Sequence, residues 1–498
     1  MHRALLVPEI LVQIFININL SQPPSSQILG WPQSSTRKSL ASLALTCTIF
    51  HGLAMDLLWS DMPGLRPLLG CVTRLHPVIY DPESKYCWSQ DADPLAEHEF
   101  HQFLRHSARV RNITISASNY FHLLEALPIE TCVFPNLRSL SWLVQRTEIG
   151  DLPFFLAPTL RRCYVSELQL YMKHIGARCP DMEDFTIRED SDRAQLSETL
   201  RSCKRLRRLQ CPPFDSAAWM HLSTIPTLLE LKIFIRRTIH YPLDNLNFAT
   251  FLHLTHLSLD GIEVASAVAI IQHFKFPSLK EFEMHVRVLP WAEAEQLFHA
   301  LSLCKASQTL EHINISSNNQ TQEHTSDSLT AVRQFLCFKE LRTLRLSVHH
   351  PIYLDDDLLF EAMTTWPHIH SLSLMNWHPS PATLTFRGLF AALRLCLHLQ
   401  DLQVSVDARN IDIGPEVESF QHTSLKNLTM DLCELDAVNV EGVARIIYSM
   451  LPAVSQVMCS NGGVPRLWHN VNKHLDLLRN KPSSAPDHRN TEAALALS

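Results

Sequence analysis

Residues 338–346 read Phe-Lys-Glu-Leu-Arg-Thr-Leu-Arg-Leu, and this stretch decides the fold. Leu344 and Leu346 are two residues apart, which is the period that places side chains on one side of a β-strand. Closely similar stretches occur at residues 276–284 and 366–374. The sequence therefore predicts a short, half-buried strand that is repeated along the chain.

The first apolar position of this motif recurs at a regular spacing. Its copies are Val110, Leu137, Leu160, Met182, Leu206, Leu228, Leu254, Leu279, Leu310, Leu341, Ile369, Leu399, Leu425 and Val454. The gaps between them range from 22 to 31 residues and average about 26, a period typical of leucine-rich repeats. One repeat cannot bury its apolar side alone, so we expect stacked repeats to share a continuous core.

The predicted fold class is α/β, with a curved leucine-rich-repeat solenoid over residues 108–479 that has a parallel sheet inside and helices outside. The later gaps are the longer ones and leave room for helices of two or three turns, as at residues 358–365 and 386–395. Few repeats have an asparagine after the strand. An unrelated α/β fold with chance similarity is therefore the alternative interpretation.

The amino-terminal residues have a helical pattern instead. Pro8 can occupy the first helical position, where its missing N–H group costs nothing. Leu11, Ile14 and Phe15 then lie on one helical face. A polar stretch rich in proline and serine follows at residues 21–37 and is predicted to be a loop. A second apolar helical segment covers residues 40–59.

The chain is thus divided into four predicted segments. Residues 1–60 form a three-helix domain, whose second helical segment is broken near Cys47, and residues 61–107 form an irregular, partly helical bridge. The repeat array over residues 108–479 follows. Residues 480–498 lack any pattern and are predicted to be a disordered tail.

Three quoted stretches carry a resemblance to a known family. They are Val-Pro-Glu-Ile-Leu-Val-Gln-Ile-Phe at residues 7–15, Ser-Leu-Ala-Leu-Thr-Cys-Thr-Ile-Phe-His at residues 42–51, and Leu-Leu-Trp at residues 57–59. Together they resemble an F-box, with Val7 in place of the usual leucine and a longer loop at residues 20–38. With the repeats added, the whole chain resembles the F-box/leucine-rich-repeat proteins that abound in basidiomycete fungi.

The resemblance implies a function. In that family the F-box binds the Skp adaptor of an SCF (Skp–cullin–F-box) ubiquitin ligase, and the repeats hold a protein substrate. The partners implied are a Skp-type adaptor, a cullin reached through it, and an unknown protein substrate. The residues that match the adaptor-binding positions are Pro8, Ile10, Leu11, Ile14, Phe15, Leu43, Cys47, Phe50 and Trp59. The alternative is that such residues pack against each other, and we favour that alternative for Leu57 and Leu58.

The repeat strands also offer a predicted binding surface. Side chains that alternate with the buried leucines are expected to face the concave side of the solenoid. Those that we select as candidate substrate contacts are His256, Asp260, Glu281, Glu283, Arg345, Asp401 and Gln403. Ordinary solvated polar positions are the alternative for any single one. No charge sign dominates, so the charge of the partner stays open.

Patterns that could carry chemistry have simpler explanations. His98 and His101 are one residue short of the zincin spacing and belong to an amphipathic helix predicted over residues 95–107, where a solvated face explains them. Residues 355–357 are three aspartates that precede a helix beginning at Leu358, where carboxylates cap free N–H groups. No phosphate-binding loop or nucleophile elbow occurs. We expect no metal site, no cofactor and no enzymatic activity.

Composition limits the other partners. The net charge of −7 leaves no basic excess for a phosphate backbone, so we expect no nucleic acid partner. The 13 cysteines fit buried thiols in a reducing compartment, which favours the cytoplasm, the nucleus or both. The apolar amino terminus is interrupted by Glu9, Gln13 and Asn17, so neither a signal peptide nor a membrane span is expected.

Two other functions stay open on the sequence alone. The first is a non-catalytic leucine-rich-repeat scaffold whose degenerate F-box takes no part in ubiquitination. The second is an enzyme on an unrecognised fold.

Overall fold

The structure is a computed structural model, and it describes residues 7–20, 34–80, 92–118, 120–128, 131–144, 152–166, 173–189, 192–235, 249–318, 328–376, 382–411, 413, 420–430, 435–459 and 466–480. The chain divides into two compact units. The first comprises Met1–Ile262 and His273–Ser278, and the second comprises Glu263–Gln272 and Leu279–Ser498. The predicted tail lies beyond the described residues, apart from its first residue.

Three helices open the first unit: α1 (Pro8–Leu20), α2 (Ser34–Thr46) and α3 (Thr48–Ser60). Pro8 is the first helical residue, as predicted. Cys47 has an extended backbone and separates α2 from α3, so the predicted break is confirmed. The α2 helix begins six residues earlier than residue 40, and its first turns are held by Arg37, whose guanidinium donates to the Asp61 carbonyl oxygen at 2.5 Å.

The third helix leads directly into the first strand of a parallel sheet. Strand β1 (Asp61–Met62) pairs with β2 (Asn112–Ile115), although its two residues lie in the segment predicted to be a bridge. Short helices α4 (Arg66–Leu69), α5 (His76–Tyr80) and α6 (Phe100–Leu104) connect these strands.

The helix predicted over residues 95–107 is shorter than expected. Only α6 is α-helical there, and 3₁₀ turns precede it at Glu97–Glu99 and follow it at Ser107–Arg109. The backbone shows why: the N–H of Arg105 donates to the carbonyl of Gln102, three residues back, which tightens the end of the helix.

The repeats of the first unit continue the sheet in chain order. Its strands are β3 (Ser139–Trp142), β4 (Arg162–Val165), β5 (Asp184–Ile187), β6 (Arg208–Cys211), β7 (Glu230–Phe234) and, after a separate short strand β8 (Ala249–Thr250), β9 (His256–Asp260). All neighbouring pairs from β1 to β9 are parallel. The helices between them are α7 (Lys173–Arg178), α8 (Arg193–Ser202) and α9 (Ser216–Ser223).

A helix α10 (Val264–His273) and a strand β10 (Phe274–Lys275), which pairs with β8, follow. The second unit then alternates strands and helices: β11 (Glu281–Val286), α11 (Trp291–Leu303), β12 (His312–Ser317), α12 (Ala331–Phe335), β13 (Thr343–Val348), α13 (Asp356–Thr365), β14 (Ser371–Asn376), α14 (Phe386–Leu393), β15 (Asp401–Val404), β16 (Asn427–Met430), α15 (Val440–Met450), β17 (Val457–Met458) and α16 (Arg466–Asn480). The seven strands named here are parallel.

The predicted α/β fold class with stacked repeats is confirmed. All fourteen copies of the first apolar position, from Val110 to Val454, are buried. A strand begins two residues after each of the first thirteen copies and three residues after the last. Helices α13 and α14 lie where the longer gaps predict helices of two or three turns, but α8 and α9 are as long in shorter gaps and α12 has only five residues, so gap length does not by itself set helix length. The period found in the sequence is therefore the period of the structure.

A row of hydroxyl groups links repeats that lack the usual asparagine. Thr227 directly precedes the first apolar position of its repeat, and its hydroxyl donates to the Leu206 carbonyl oxygen of the previous repeat at 2.8 Å. Thr309 makes the same bond to the Leu279 carbonyl at 2.8 Å. Thr159 makes the same bond to the Leu137 carbonyl at 2.8 Å, whereas the Ser278 hydroxyl donates to the carbonyl of the exposed residue Leu252 at 2.7 Å. The three threonine bonds provide a partner for the carbonyl groups of buried residues.

Replacing Thr227 by valine tests this row. Valine has the shape of threonine without the hydroxyl, so the Leu206 carbonyl loses its partner, and we expect the free energy of unfolding to fall by about 1 kcal/mol. Urea unfolding followed by circular dichroism measures the change. The matched control is Thr186→Val, on a half-buried strand position of the same unit. Equal midpoints for the two variants would rule out a stabilising role for the hydroxyl row.

The last strand has its outer edge closed by a side chain. The amide of Asn472, on α16, donates to the Val457 carbonyl at 3.0 Å and accepts from the Val457 N–H at 2.9 Å. This amide takes the place of a further strand. Trp468 and Val471 are buried on the same helix, so α16 covers both the apolar core and the open edge of the sheet.

Candidate interaction surfaces

The apolar face of α1 is divided between the interior and the solvent. Leu11 and Phe15 are 1% and 2% exposed, whereas Ile10 and Ile14 are 41% and 37% exposed. All four lie at helical spacing, so the two pairs occupy adjacent strips of one broad face. The helix is therefore apolar over a wider surface than its neighbours cover.

Exposed apolar side chains also flank the junction of α2 and α3. Leu45 is 87% exposed and Ile49 is 46% exposed, on either side of the extended residue Cys47. Single exposed apolar residues are common on any protein surface. Here, however, Val7, Ile10 and Ile14 are exposed as well, just before and on α1, so the described part of α1–α3 carries several exposed apolar side chains that a partner protein could cover.

The buried strip of α1 holds the three helices together. Phe15, Ala44 and Ala54 form the centre of their core, and Leu43 and Phe50 pack against it while half-buried. The Phe15 and Phe50 rings meet edge to face, with centroids 5.6 Å apart and an interplanar angle of 82°. Such pairs stabilise by about 0.5–1.5 kcal/mol beyond their buried area.

Trp59 joins α3 to the segment that precedes the second strand. Its ring stacks on that of His106, with centroids 4.3 Å apart and planes inclined by 16°. Burial lowers the pKa of His106, and the nearby charges of Arg105 and Arg109 lower it further. A neutral imidazole is thus favoured in this stack, and the contact is structural within the chain.

Polar contacts fix α3 to the first two strands, and nothing in the sequence pattern pointed to them. Arg109 pairs with Asp56 of α3. The Asn112 side-chain amide donates to the Asp61 carboxylate at 2.5 Å, and the Arg111 N–H donates to the Ser60 carbonyl at 2.9 Å. Three adjoining points therefore tie the helices to the sheet.

The candidate adaptor residues are accordingly not equivalent. Two, Ile10 and Ile14, are exposed on α1, whereas Leu11 and Phe15 are buried among the three helices. The remainder with described side chains are half-buried: Leu43, Cys47, Phe50 and Trp59. Pro8 is placed by its backbone as the first residue of α1. Their role in binding an adaptor stays a prediction.

The candidate substrate residues lie on the side of the sheet opposite the core. In the second unit, strand register aligns Glu283, Arg345 and Gln403 in one row across β11, β13 and β15. Glu281 and Asp401 share the neighbouring row, where the Asn427 amide donates to Asp401 at 2.5 Å. The other two, His256 and Asp260, lie on β9 of the first unit. Their role in binding a substrate also stays a prediction.

The described residues contain no group of three or more His, Cys, Asp or Glu side chains that could hold a metal ion. The Asp355 carboxylate accepts from the Leu358 N–H at 2.8 Å and so caps α13, as predicted. His98 and His101 are exposed, in agreement with a solvated face. No helix in the described ranges combines the length and the apolar character that crossing a membrane requires.

Buried thiols form part of the core. Burial raises the pKa of Cys179 and of Cys203 to about 12, so both stay protonated at neutral pH. A protonated, buried thiol is a poor nucleophile. These cysteines therefore act as small apolar core residues.

Comparison with known proteins gives little similarity. No protein family model matches the chain, and no curated protein matches it. Among solved structures, the chain is similar to one described as the crystal structure of the Rad7 and Elc1 complex in yeast. The sequence identity is 13%, the TM-score is 0.33, and the match covers 92% of this chain and 96% of that one. A TM-score of this size does not establish a shared fold.

Proposed function

We propose that this chain is the substrate-recognition subunit of an SCF-type ubiquitin ligase. In this proposal α1–α3 bind a Skp-type adaptor, which connects them to a cullin, and the open side of the repeat sheet holds a protein substrate. The observation that carries the proposal is the exposed apolar strip formed by Ile10 and Ile14, within a sequence that resembles an F-box.

Binding energy is available on that surface. Fully burying an aliphatic side chain of this size contributes about 1.5–3 kcal/mol. Ile10, Ile14, Leu45 and Ile49 are already partly buried within the chain, so together they could supply roughly 3–6 kcal/mol before the costs of ordering and association. Other contacts of the interface would add to this contribution.

The chain itself would perform no chemistry. A receptor of this kind raises the effective concentration of substrate lysines near an enzyme that another subunit carries. The polar contacts that Arg109 and Asn112 make with α3 and Asp61 suit that task, because they restrict movement between the adaptor-binding helices and the first strands. We place this activity in the cytoplasm, the nucleus or both, where thiols remain reduced.

Co-expression tests the proposal. The tagged full chain is produced together with a Skp-type adaptor and its cullin, and we expect both to be recovered with it after gel filtration. A chain lacking residues 1–20 should recover neither, whereas a Val438→Asp variant, changed at an exposed apolar residue of the second unit, should recover both. A folded full chain that retains neither protein would refute the proposal.

One observation favours a second candidate function, that of a repeat scaffold without a ligase. Leu11 and Phe15 match adaptor-binding positions of the family, yet they are buried among α1–α3. If the remaining exposed strip is too small for an adaptor, the helices would serve only to cap the repeats. In that case the full chain would bind other proteins but would recover no cullin in the experiment above.

A further inference from the structure

Arginine recurs where the strands of the first unit begin. It occupies the position directly before β2, β3, β4 and β6, and also the first position of β4 and β6. We call this set the arginine stripe, and its members are Arg111, Arg138, Arg161, Arg162, Arg207 and Arg208. Arginines of successive stripe strands, which are 23–46 positions apart in the sequence, are thereby brought to the same end of the parallel strands.

Strand register aligns these positions. Asn112 pairs with Ser139, Ser139 with Arg162, Arg162 with Asp184, and Asp184 with Arg208. Adjacent strands lie about 4.8 Å apart, so the five strands from β2 to β6 give the stripe a length of about 19 Å. This length is the span of about six residues of extended polypeptide.

The backbone groups where these strands begin already form hydrogen bonds between neighbouring strands. The N–H groups of Arg138 and Ser139 both donate to the Arg111 carbonyl, at 2.7 and 3.0 Å, and those of Arg161 and Arg162 both donate to the Arg138 carbonyl, at 3.0 and 2.9 Å. A ligand at the stripe would therefore be held by the guanidinium groups and not by backbone pairing.

Two carboxylates lie within the stripe, both at β5. Glu183 pairs with Arg161 at 3.2 Å, and Asp184 makes a two-pronged contact with Arg208 at 3.0 and 2.8 Å. The Asp184 contact raises the pKa of Arg208. This internal pair shows that a carboxylate fits an arginine of the stripe in the strong bidentate geometry.

The stripe nevertheless has an excess of positive charge. Six guanidinium groups face the two carboxylates of β5 and a third, Glu230 of β7, which lies opposite Arg208. Arg138, Arg162 and Arg207 are exposed, and their side chains make no hydrogen bond or ion pair with any other described residue. The chain as a whole carries a net charge of −7, so the charge of the stripe is opposite in sign to the net charge of the chain.

The positions directly before the strands of the second unit have no comparable excess of positive charge. There Glu311 lies between Lys280 and Arg342 and pairs with both, at 2.7 and 3.1 Å. The next two strands have His370 and Gln400 at this position. The unpaired arginines are thus a property of the first unit and not of the repeat in general.

We propose that the arginine stripe binds an acidic, extended segment of a protein partner, which runs across β2–β6 and places its carboxylates on Arg138, Arg162 and Arg207. A nucleic acid fits less well, because a continuous phosphate backbone would meet Glu183 and Asp184 in the middle of the stripe. A peptide whose acidic residues are spaced can instead place a neutral residue next to Glu183 and Asp184 of β5. This inference does not depend on whether α1–α3 engage an adaptor.

The test uses the folded full chain and two fluorescent ten-residue peptides, one with glutamate at alternate positions and one with glutamine there. We expect the glutamate peptide to bind in fluorescence anisotropy at low ionic strength and the glutamine peptide not to bind. Raising the salt from 50 to 200 mM should weaken binding, because exposed charges are screened. Failure of the glutamate peptide to bind the folded chain would overturn the proposal.

Matched variants locate the site. Arg138→Glu/Arg162→Glu/Arg207→Glu should weaken binding about tenfold or more. The control Lys339→Glu/Lys426→Glu/Arg466→Glu makes the same change in net charge at exposed positions of the second unit and should weaken it less than twofold. Equal losses in both would contradict the proposal. The milder Arg→Gln changes at the same three stripe positions replace the first variant if it does not fold.

A third ligand separates protein from nucleic acid. A single-stranded oligonucleotide with the same number of charges as the glutamate peptide is titrated under the same conditions. We expect it to bind more weakly than the peptide. Tighter binding that the stripe variant abolishes would assign the surface to nucleic acid and overturn the proposal.

Discussion

Replacing Ile10 and Ile14 together by aspartate should lower the affinity for a Skp-type adaptor by at least about 100-fold, while the chain remains folded. Each isoleucine forfeits the burial of its exposed apolar surface on binding, about 0.6–1.2 kcal/mol, and each aspartate adds the larger cost of a carboxylate in the interface without a partner. Two such losses exceed the roughly 2.7 kcal/mol that corresponds to 100-fold. Both residues are exposed, so the helices lose little of their own packing.

Biolayer interferometry with immobilised adaptor measures this loss. The matched control is Leu397→Asp/Val438→Asp, which places the same two charges on exposed apolar positions of the second unit and should leave the affinity unchanged. Phe15→Ala provides a contrast, because it removes a buried ring from the core of α1–α3 and should lower the melting temperature. Unchanged affinity in Ile10→Asp/Ile14→Asp would mean that this strip is not the binding surface.

Trp366→Ala should lower the free energy of unfolding of the second unit by about 3–5 kcal/mol, the range found when a large buried side chain is removed from a core. Trp366 is fully buried, and its indole N–H donates to the Phe335 carbonyl of the previous repeat at 3.3 Å. The variant therefore leaves a cavity and removes one of the two hydrogen bonds that the Phe335 carbonyl accepts, the other coming from the Phe338 N–H at 3.0 Å.

Urea unfolding of the full chain, followed by far-ultraviolet circular dichroism, measures this effect. Phe360→Ala is the matched control, because Phe360 lies on α13 of the same repeat but is largely exposed, and it should change the free energy of unfolding by about 0.5 kcal/mol or less. The free energy of unfolding of Trp366→Phe should lie between those of Trp366→Ala and Phe360→Ala. A Trp366→Ala variant as stable as the control would show that stacking between repeats does not depend on this side chain.

The position of each strand within its repeat could be predicted from the sequence, because every repeat needs a buried apolar residue just before its strand. Leu341 must be buried two residues before the strand that begins at Thr343, and the same holds from Val110 onwards. The two-residue strand β1 had no such signal, since Asp61 and Met62 are positioned by tertiary contacts and not by a pattern. The hydroxyl of Thr227 was likewise recognisable only once its distance to the neighbouring repeat was known.

The surface properties were less accessible from the sequence. Ile10, Leu11, Ile14 and Phe15 all fit one helical face, and only the packing of α2 and α3 decides which two are buried. The arginine stripe was missed because its members are far apart in the chain and only strand register aligns them. The available signal was the position directly before each strand, where arginine recurs from Arg111 onwards.

Isothermal titration calorimetry of a purified Skp-type adaptor into the purified full chain tests the central claim most directly. If α1–α3 form an adaptor-binding domain, the titration should saturate at one adaptor per chain with a dissociation constant below about 1 µM, which corresponds to roughly 8 kcal/mol of binding free energy. The absence of binding at about 100 µM adaptor, to a chain that circular dichroism shows to be folded, would contradict the claim.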